Sequence, residues 1–316
     1  MNVYRKLVEV PANITTVLSA GNFDGVHRAH QHVFRQTMRR ARELGATSMA
    51  VTFDPHPVRV LQPDVPKQLL TPLPAKLRIL EQMGLESVLV LSFDRDLSLM
   101  SPKQFAEQVL AGRLHAKEVH EGSSFHFGHH AEGNVYKLAD YGRKFGFHVE
   151  IYPQLAFRGE MVSSSRIREL VAAGQVERAR ALLARPFSLL AHAARGRGYG
   201  HQYTVPTINL APYPELTPAD GVYITWTRVG EECFDSVTNV GQRPTFENES
   251  FAIETHLFNF HPLPLTAETE VEISFLKRLR PEIKFPTIEE LRDQIARDVH
   301  KARRYFHGLE RIKSRI

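Results

Sequence analysis

Short runs of β-branched and apolar residues alternate with longer amphipathic stretches up to about position 183. That alternation is the pattern of a parallel α/β sheet. Short β-branched or apolar segments at 14–18, 47–53 and 87–93, with shorter ones at 118–121 and 148–152, predict strands, and the spacing at 32–43, 74–83 and 102–111 predicts helices. After Arg185 and Pro186 the pattern shortens into alternating runs broken by Gly, Pro, Asn and Asp. Strands are predicted at 222–228, 233–240, 253–258 and 270–275, the content of an antiparallel β-domain. A closing helix is announced by a capping box, Thr287 with Glu290, and by one apolar stripe of Ile288, Leu291, Ile295, Val299 and Phe306, expected to dock on the barrel. The expected fold is a Rossmann-like parallel-sheet domain, 1–184, followed by an antiparallel β-barrel domain with a terminal helix, 185–316.

Composition narrows the class. The 316 residues are 42% apolar and 24% charged, enough for two cores. No run reaches the ~18 apolar residues of a membrane span, and one cysteine excludes an intramolecular disulfide framework. A cytoplasmic protein that does not engage a membrane is expected. The formal charge of +5 suits a phosphate-bearing partner. The basic residues near the C-terminus read most simply as a solvated helix face. No RNA-binding or helix-turn-helix pattern accompanies them, so no nucleic-acid partner is expected.

Candidate chemistry starts at residues 21–30, GNFDGVHRAH, which lie between a predicted strand and a predicted helix. Gly21 and Gly25 allow the backbone N–H groups around Asn22, Phe23 and Asp24 to approach an anion, and the helix N-terminus adds partial positive charge. His27 and His30 stand one helical turn apart and can address one phosphate, although such a pair is also half of a metal site or two solvated side chains. A second anion site is read in VSSSRIRELV, where Ser163, Ser164 and Ser165 precede a helix from about Arg166 and the Arg168 guanidinium can grip a triphosphate. The alternative is a plain capped helix. Between the two lies DPHPVRVLQPDVPKQLLTP, a proline-rich loop containing His56 and expected over the sheet's carboxyl edge. In the second half, Thr207 and Asn209 of VPTIN share one side of an extended segment, as oxygen ligands for Mg²⁺ held with ATP or as members of a proline-led turn. Upstream, RGRGYGHQ offers Gly196 and Gly198 as a flap over phosphates.

These motifs, in this order, resemble those of the bacterial bifunctional riboflavin kinase and FAD synthetase family. The first is similar to its GxFDGxHxGH segment, with Ala29 in place of a glycine, and SSSR is similar to ISSTxIR, with Ser165 for threonine. GSSFHFG resembles GxDFxFG, which implies flavin-site roles for Ser124, Phe125 and Phe127; Ser124 and His126 depart from the family residues. VPTIN resembles the kinase PTAN motif, and Glu254 in AIETHLFNF matches the family's catalytic base. The resemblance implies two activities, phosphorylation of riboflavin to FMN and adenylylation of FMN to FAD, with riboflavin, FMN and ATP as small-molecule partners and Mg²⁺ as cofactor. A homo-oligomer stays open. Ala29, Ser124 and His126 keep in view a riboflavin kinase whose adenylyltransferase half has weakened.

Overall fold

A computed structural model describes residues 1–194, 207–243, 250–261 and 265–313. The chain forms two compact units, Met1–Ser164 and Ser165–Ile316.

The first unit is built on strands β1 (Asn2–Tyr4), β2 (Thr16–Ala20), β3 (Thr47–Asp54), β4 (Ser87–Ser92), β5 (Ala116–Gly122) and β6 (His148–Tyr152). All neighbours pair in parallel, in the order β1-β4-β3-β2-β5-β6. Helices on both faces explain why β2 and β4 are nearly continuous apolar runs: each side of the pleat is buried. On one face α1 (Arg28–Leu44) and α2 (Leu73–Gln82) close a core containing Phe23, Val26, Phe34, Met38, Ala50, Leu80, Val88 and Val90. The other face packs Leu18, Met49, Val51 and Leu89 against Phe105, Val109, Leu110 and, from α3 (Val135–Phe145), Leu138.

Two details differ from the pattern-based expectation. Strand β1 carries no apolar run, because it is three residues long at an edge and two of them are exposed. Helix α1 begins at Arg28, so His27 is its N-cap rather than a helical residue.

Chain order runs from β2 through β3 to β4 on one side, then crosses back to β5 and β6 on the other. The carboxyl ends of β2 and β5 therefore flank the topological switch point, where open α/β sheets bind ligands.

The second unit begins with α4 (Ser164–Ala172, its first residue counted with the first unit) and α5 (Val176–Leu183). A closed antiparallel barrel follows, of β7 (Phe187–Ala194), β8 (Thr207–Leu210), β9 (Gly221–Val229), β10 (Glu232–Arg243), β11 (Ser250–Leu257) and β12 (Glu270–Pro281). The strand order is β7-β8-β11-β10-β9-β12. Inside it the hydroxyls of Thr225, Ser236, Thr227, Thr255 and Thr238 form a closed ring, with successive separations of 2.8, 2.8, 2.9, 2.9 and 2.7 Å. Each hydroxyl meets two others, so five buried polar groups are satisfied without water.

Helix α6 (Ile288–Lys313) starts as its capping box predicts, with Thr287 Oγ1 accepting from the Glu290 N–H at 3.3 Å. Its docking face is shorter than the apolar stripe. Val299, Ala302 and Phe306 pack on Ile224, Phe258 and Leu276, and Asp298 receives Arg280 of β12 at 2.8 Å. Ile288, Leu291 and Ile295 remain exposed.

Candidate active sites

In the first unit, β2 ends at Ala20 and the chain turns through residues 21–27 before α1. The turn needs left-handed backbone at Phe23, Gly25 and Val26, and Gly25, at φ 88°, adopts it at least cost. Phe23 and Val26 anchor the turn in the core. The imidazoles of His27 and His30 are stacked, with centroids 3.6 Å apart and planes 16° from parallel, and the His27 Nδ1 accepts from the His30 N–H at 3.5 Å. Both rings thus sit at the N-terminus of α1, where the helix dipole favours an anion.

Four side chains fix this turn and the segments that flank it. The Asp24 carboxylate accepts from the Leu70 and Thr71 N–H groups at 3.3 and 3.0 Å, which ties down the end of the proline-rich loop. Ser164 Oγ donates to the Asp24 carbonyl at 2.8 Å. Lys76 Nζ donates to the Asn22 carbonyl at 2.6 Å and to Thr52 Oγ1 at 3.3 Å. On the β5 side, Glu121 Oε1 accepts the Ala20 N–H at 2.6 Å and Ser19 Oγ at 3.5 Å. Pattern reading passes over Lys76 and Glu121, because a lysine in an amphipathic helix reads as solvated and Glu121 ends a strand. Both are buried, at 5% and 3% exposure. Burial pushes the Glu121 carboxyl well above the usual carboxylate range, against its hydrogen bonds from Ala20 and Ser19.

Across the switch point, Gly122 leads into Ser123, whose N–H donates to the Tyr152 carbonyl at 2.8 Å. Ser124 is exposed and Phe125 half-buried, with its ring stacked on Phe127 at 5.3 Å. Phe127 is a core residue against Phe105. Of the three candidate flavin residues, Ser124 and Phe125 are thus the more accessible. His56 caps the helical turn Pro57–Leu61, its Nδ1 accepting the Val58 N–H at 3.2 Å. Ser163 is exposed just before α4, and Ser165 and the half-buried Arg168 lie in the first turns of that helix.

In the second unit, Asn209 of β8 stands directly opposite Glu254 of β11, and Glu254 stands opposite Asn239 of β10. Alternation places Ile208, Leu210, Ile253, Thr255 and Leu257 inside the barrel, and puts Thr207, Asn209 and Glu254 on its outer face. A hydroxyl, an amide and a carboxylate on neighbouring strands suit a hard, oxygen-seeking cation with phosphates. No group of three or more His, Cys, Asp or Glu fit for a metal occurs among the described residues, so a cation here would rely on substrate oxygens as well. Gly196 and Gly198 of the glycine-rich flap lie outside the described residues.

Comparison with known proteins places each half in a family. Residues 10–166 match the FAD synthetase model and residues 183–306 the riboflavin kinase model. The chain is 35% identical to the bifunctional riboflavin kinase/FMN adenylyltransferase of Bacillus subtilis, over 94% of each chain. It is 33% identical to the protein of the same name from Haemophilus influenzae, over 92% of this chain and 94% of that one. A crystal structure of a Streptococcus pneumoniae protein named macrolide-efflux protein superposes with a TM-score of 0.85 at 26% identity, covering 95% of this chain and 98% of that one. That name belongs to that protein; no helix among the described residues here is long and apolar enough to cross a membrane.

Proposed function

Because the chain belongs to the bifunctional riboflavin kinase/FMN adenylyltransferase family, we propose that it makes FMN from riboflavin and ATP, then FAD from FMN and a second ATP. The observation that carries this reading is the full-length relationship, which spans both halves and favours two working sites over a kinase with a weakened partner domain. Residues 1–184 are assigned to adenylyl transfer and 185–316 to phosphorylation.

In the barrel, the Glu254 carboxylate takes the proton of the ribityl 5′-hydroxyl as that oxygen attacks the γ-phosphorus and ADP departs. Asn209, opposite Glu254 in the sheet register, and Thr207, two residues before it on the same face of β8 and opposite His256, would hold a divalent cation, Mg²⁺ in this reading. Such a cation, when bound, neutralises phosphate charge. Gly196 and Gly198 are assigned to covering the nucleotide.

In the parallel-sheet unit, an FMN phosphate oxygen attacks the α-phosphorus of ATP and pyrophosphate leaves. No enzyme nucleophile is required, so catalysis rests on alignment and charge stabilisation. The turn 21–25, with His27 and His30, supplies N–H groups and imidazoles at a helix N-terminus, and Ser163 and Ser164 supply further phosphate donors; Ser165 and Arg168, in the helix that follows, are assigned the same role by the likeness of SSSR to ISSTxIR. Ser124, Phe125 and Phe127 are assigned to the flavin side of the switch point. The setting is cytoplasmic, in keeping with the single cysteine, and the substrates are small molecules with no nucleic acid involved; a homo-oligomer is compatible with this scheme.

The test supplies riboflavin and FMN in separate reactions with ATP and Mg²⁺. Riboflavin must yield FMN and then FAD, and FMN alone must yield FAD. FMN that accumulates without FAD would confine the activity to the barrel, and no FMN would overturn the assignment.

A further inference from the structure

We infer that Lys76 is a positioning residue for adenylyl transfer: its ammonium, gripping the Asn22 carbonyl and the Thr52 hydroxyl, holds the turn 21–25 with its N–H groups ready for phosphate. The inference rests on the adenylyltransferase reading of the first unit.

The geometry is specific. Lys76 is buried in the second helix of the unit, and its Nζ meets the Asn22 carbonyl at 2.6 Å and Thr52 Oγ1 at 3.3 Å. Thr52 Oγ1 lies 3.5 Å from the same carbonyl, so one lysine braces the turn against the end of β3. A carbonyl drawn back onto a buried cation orients its peptide plane. The following N–H, that of Phe23, lies on the opposite edge of that plane. A buried positive charge behind a phosphate-binding turn also stabilises the negative charge in front of it, without reorganising during reaction.

The charged groups acting on Lys76 are Asp24 in the turn and Asp54 at the end of β3. The other elements of that face, α1 and β4, contribute apolar Phe34, Met38, Val88 and Val90 to the core. Burial lowers the Lys76 pKa from 10.5 to about 8, with Asp24 and Asp54 opposing the shift. Above that value the amine is neutral, its hydrogen bond to Asn22 is no longer charge-assisted, and the turn loses its nearby cation.

Stability moves the other way. Between about 8 and 10.5 the folded chain binds fewer protons at Lys76 than the unfolded chain does. Stability contributed by this group therefore rises with pH across the window in which adenylyl transfer falls. A residue that only filled space would not separate the two.

The experiment measures FAD formation from FMN and ATP between about pH 6.5 and 9.5 for the wild type, Lys76→Arg and Lys76→Met, the range being chosen to bracket the shifted pKa. Riboflavin phosphorylation by the same chains corrects for pH effects on ATP, and urea unfolding followed by circular dichroism reports whether the first unit of each variant is folded. The wild type should lose adenylyl transfer through a midpoint near 8, with no matching loss in phosphorylation. Lys76→Arg should lose that limb, because arginine stays charged. Lys76→Met should be flat with pH and down by about tenfold or more in kcat, with phosphorylation within about twofold. A wild-type profile without a limb near 8, or a limb that persists in both variants, overturns the inference while leaving FAD synthesis intact. Absence of FAD at every pH in the wild type overturns the underlying reading as well.

Discussion

The Glu121 carboxyl takes the place of a strand at the mouth of the switch point: its Oε1 accepts the Ala20 N–H at 2.6 Å where the β2–β5 ladder has already ended at Leu18 and Val119. On its other side β2 stays paired with β3 as far as Ala20 and Val51. The carboxyl group thus lets β2 and β5 part at their ends without leaving a buried amide unpaired, which is how a crevice opens between two adjacent parallel strands.

Replacing Glu121 separates that hydrogen bond from its charge. Glu121→Gln keeps an acceptor and cannot ionise, whereas Glu121→Leu leaves the Ala20 N–H unpaired at a cost of about 1–3 kcal/mol. The raised carboxyl pKa means that stability from this group is full below about 4.5 and is lost as pH rises toward the folded value. Urea unfolding at neutral pH should therefore find Glu121→Gln at least as stable as the wild type and Glu121→Leu less so. Equal loss in both variants would contradict the account.

Asp24 acts on the turn through the loop behind it. Asp24→Ala strands the buried Leu70 and Thr71 N–H groups, each at about 1–3 kcal/mol. FAD formation should fall sharply while riboflavin phosphorylation stays within about twofold, since the barrel is untouched. Parallel assays of the two reactions check this; equal loss in both would point to global unfolding.

The hydroxyl ring makes the barrel sensitive to a single oxygen. Thr238→Val leaves the Thr225 and Thr255 hydroxyls each short of a partner, and a loss of about 1–3 kcal/mol is expected from chemical denaturation. Thr255 adjoins Glu254 in β11, so phosphorylation should weaken too. A loss below about 0.5 kcal/mol, the level of an ordinary surface change, would mean that the ring is not a unit.

Acid should destabilise the first unit through Glu118. Its carboxylate receives Arg40 Nε at 2.9 Å and is also bonded by Arg40 Nη2, and His120 Nε2 lies 3.1 Å away. Arg40, foremost, holds the Glu118 pKa down from 4.5 to about 2. The stability this provides is complete above about 4.5 and disappears as pH falls toward 2. Burial also lowers His120 below 6.5, so its protonation adds to the loss in the same direction. Thermal melts of Glu118→Gln should show a shallower pH dependence between 4.5 and 2 than the wild type.

Much of this is legible in the residue pattern, for physical reasons that also mark its limits. The buried strands β3 and β4 read as apolar runs and β11 as an alternating one, because pleat and burial write themselves directly into sequence, whereas β5, AKEVHEG, carries no such run. Asn209 and Glu254 each stand out in their own segments, but their pairing across β8 and β11 depends on register, which neither segment carries alone. His27 and His30 read as two residues of one helix; the N-cap position of His27 and the stacked rings follow from backbone turning at Gly25 and Val26. Lys76 and Glu121 escape notice because a polar residue buried by tertiary packing looks, in one dimension, like any solvated one. The stripe on α6 overstates the docking face in its first half: Ile288, Leu291 and Ile295 share the helical spacing of Val299 and Phe306 but stay exposed.

The most direct test of two independent chemistries in one chain is a chromatographic time course with riboflavin, excess ATP and Mg²⁺, run beside Glu254→Gln and His27→Ala. The wild type should show FMN rising and then giving way to FAD. Glu254→Gln should slow FMN formation by about 10²-fold or more, as loss of a general base does, yet still convert supplied FMN to FAD; His27→Ala should make FMN normally and stall there. Loss of both steps in either variant, or of neither, would contradict the division of labour between the parallel sheet and the barrel.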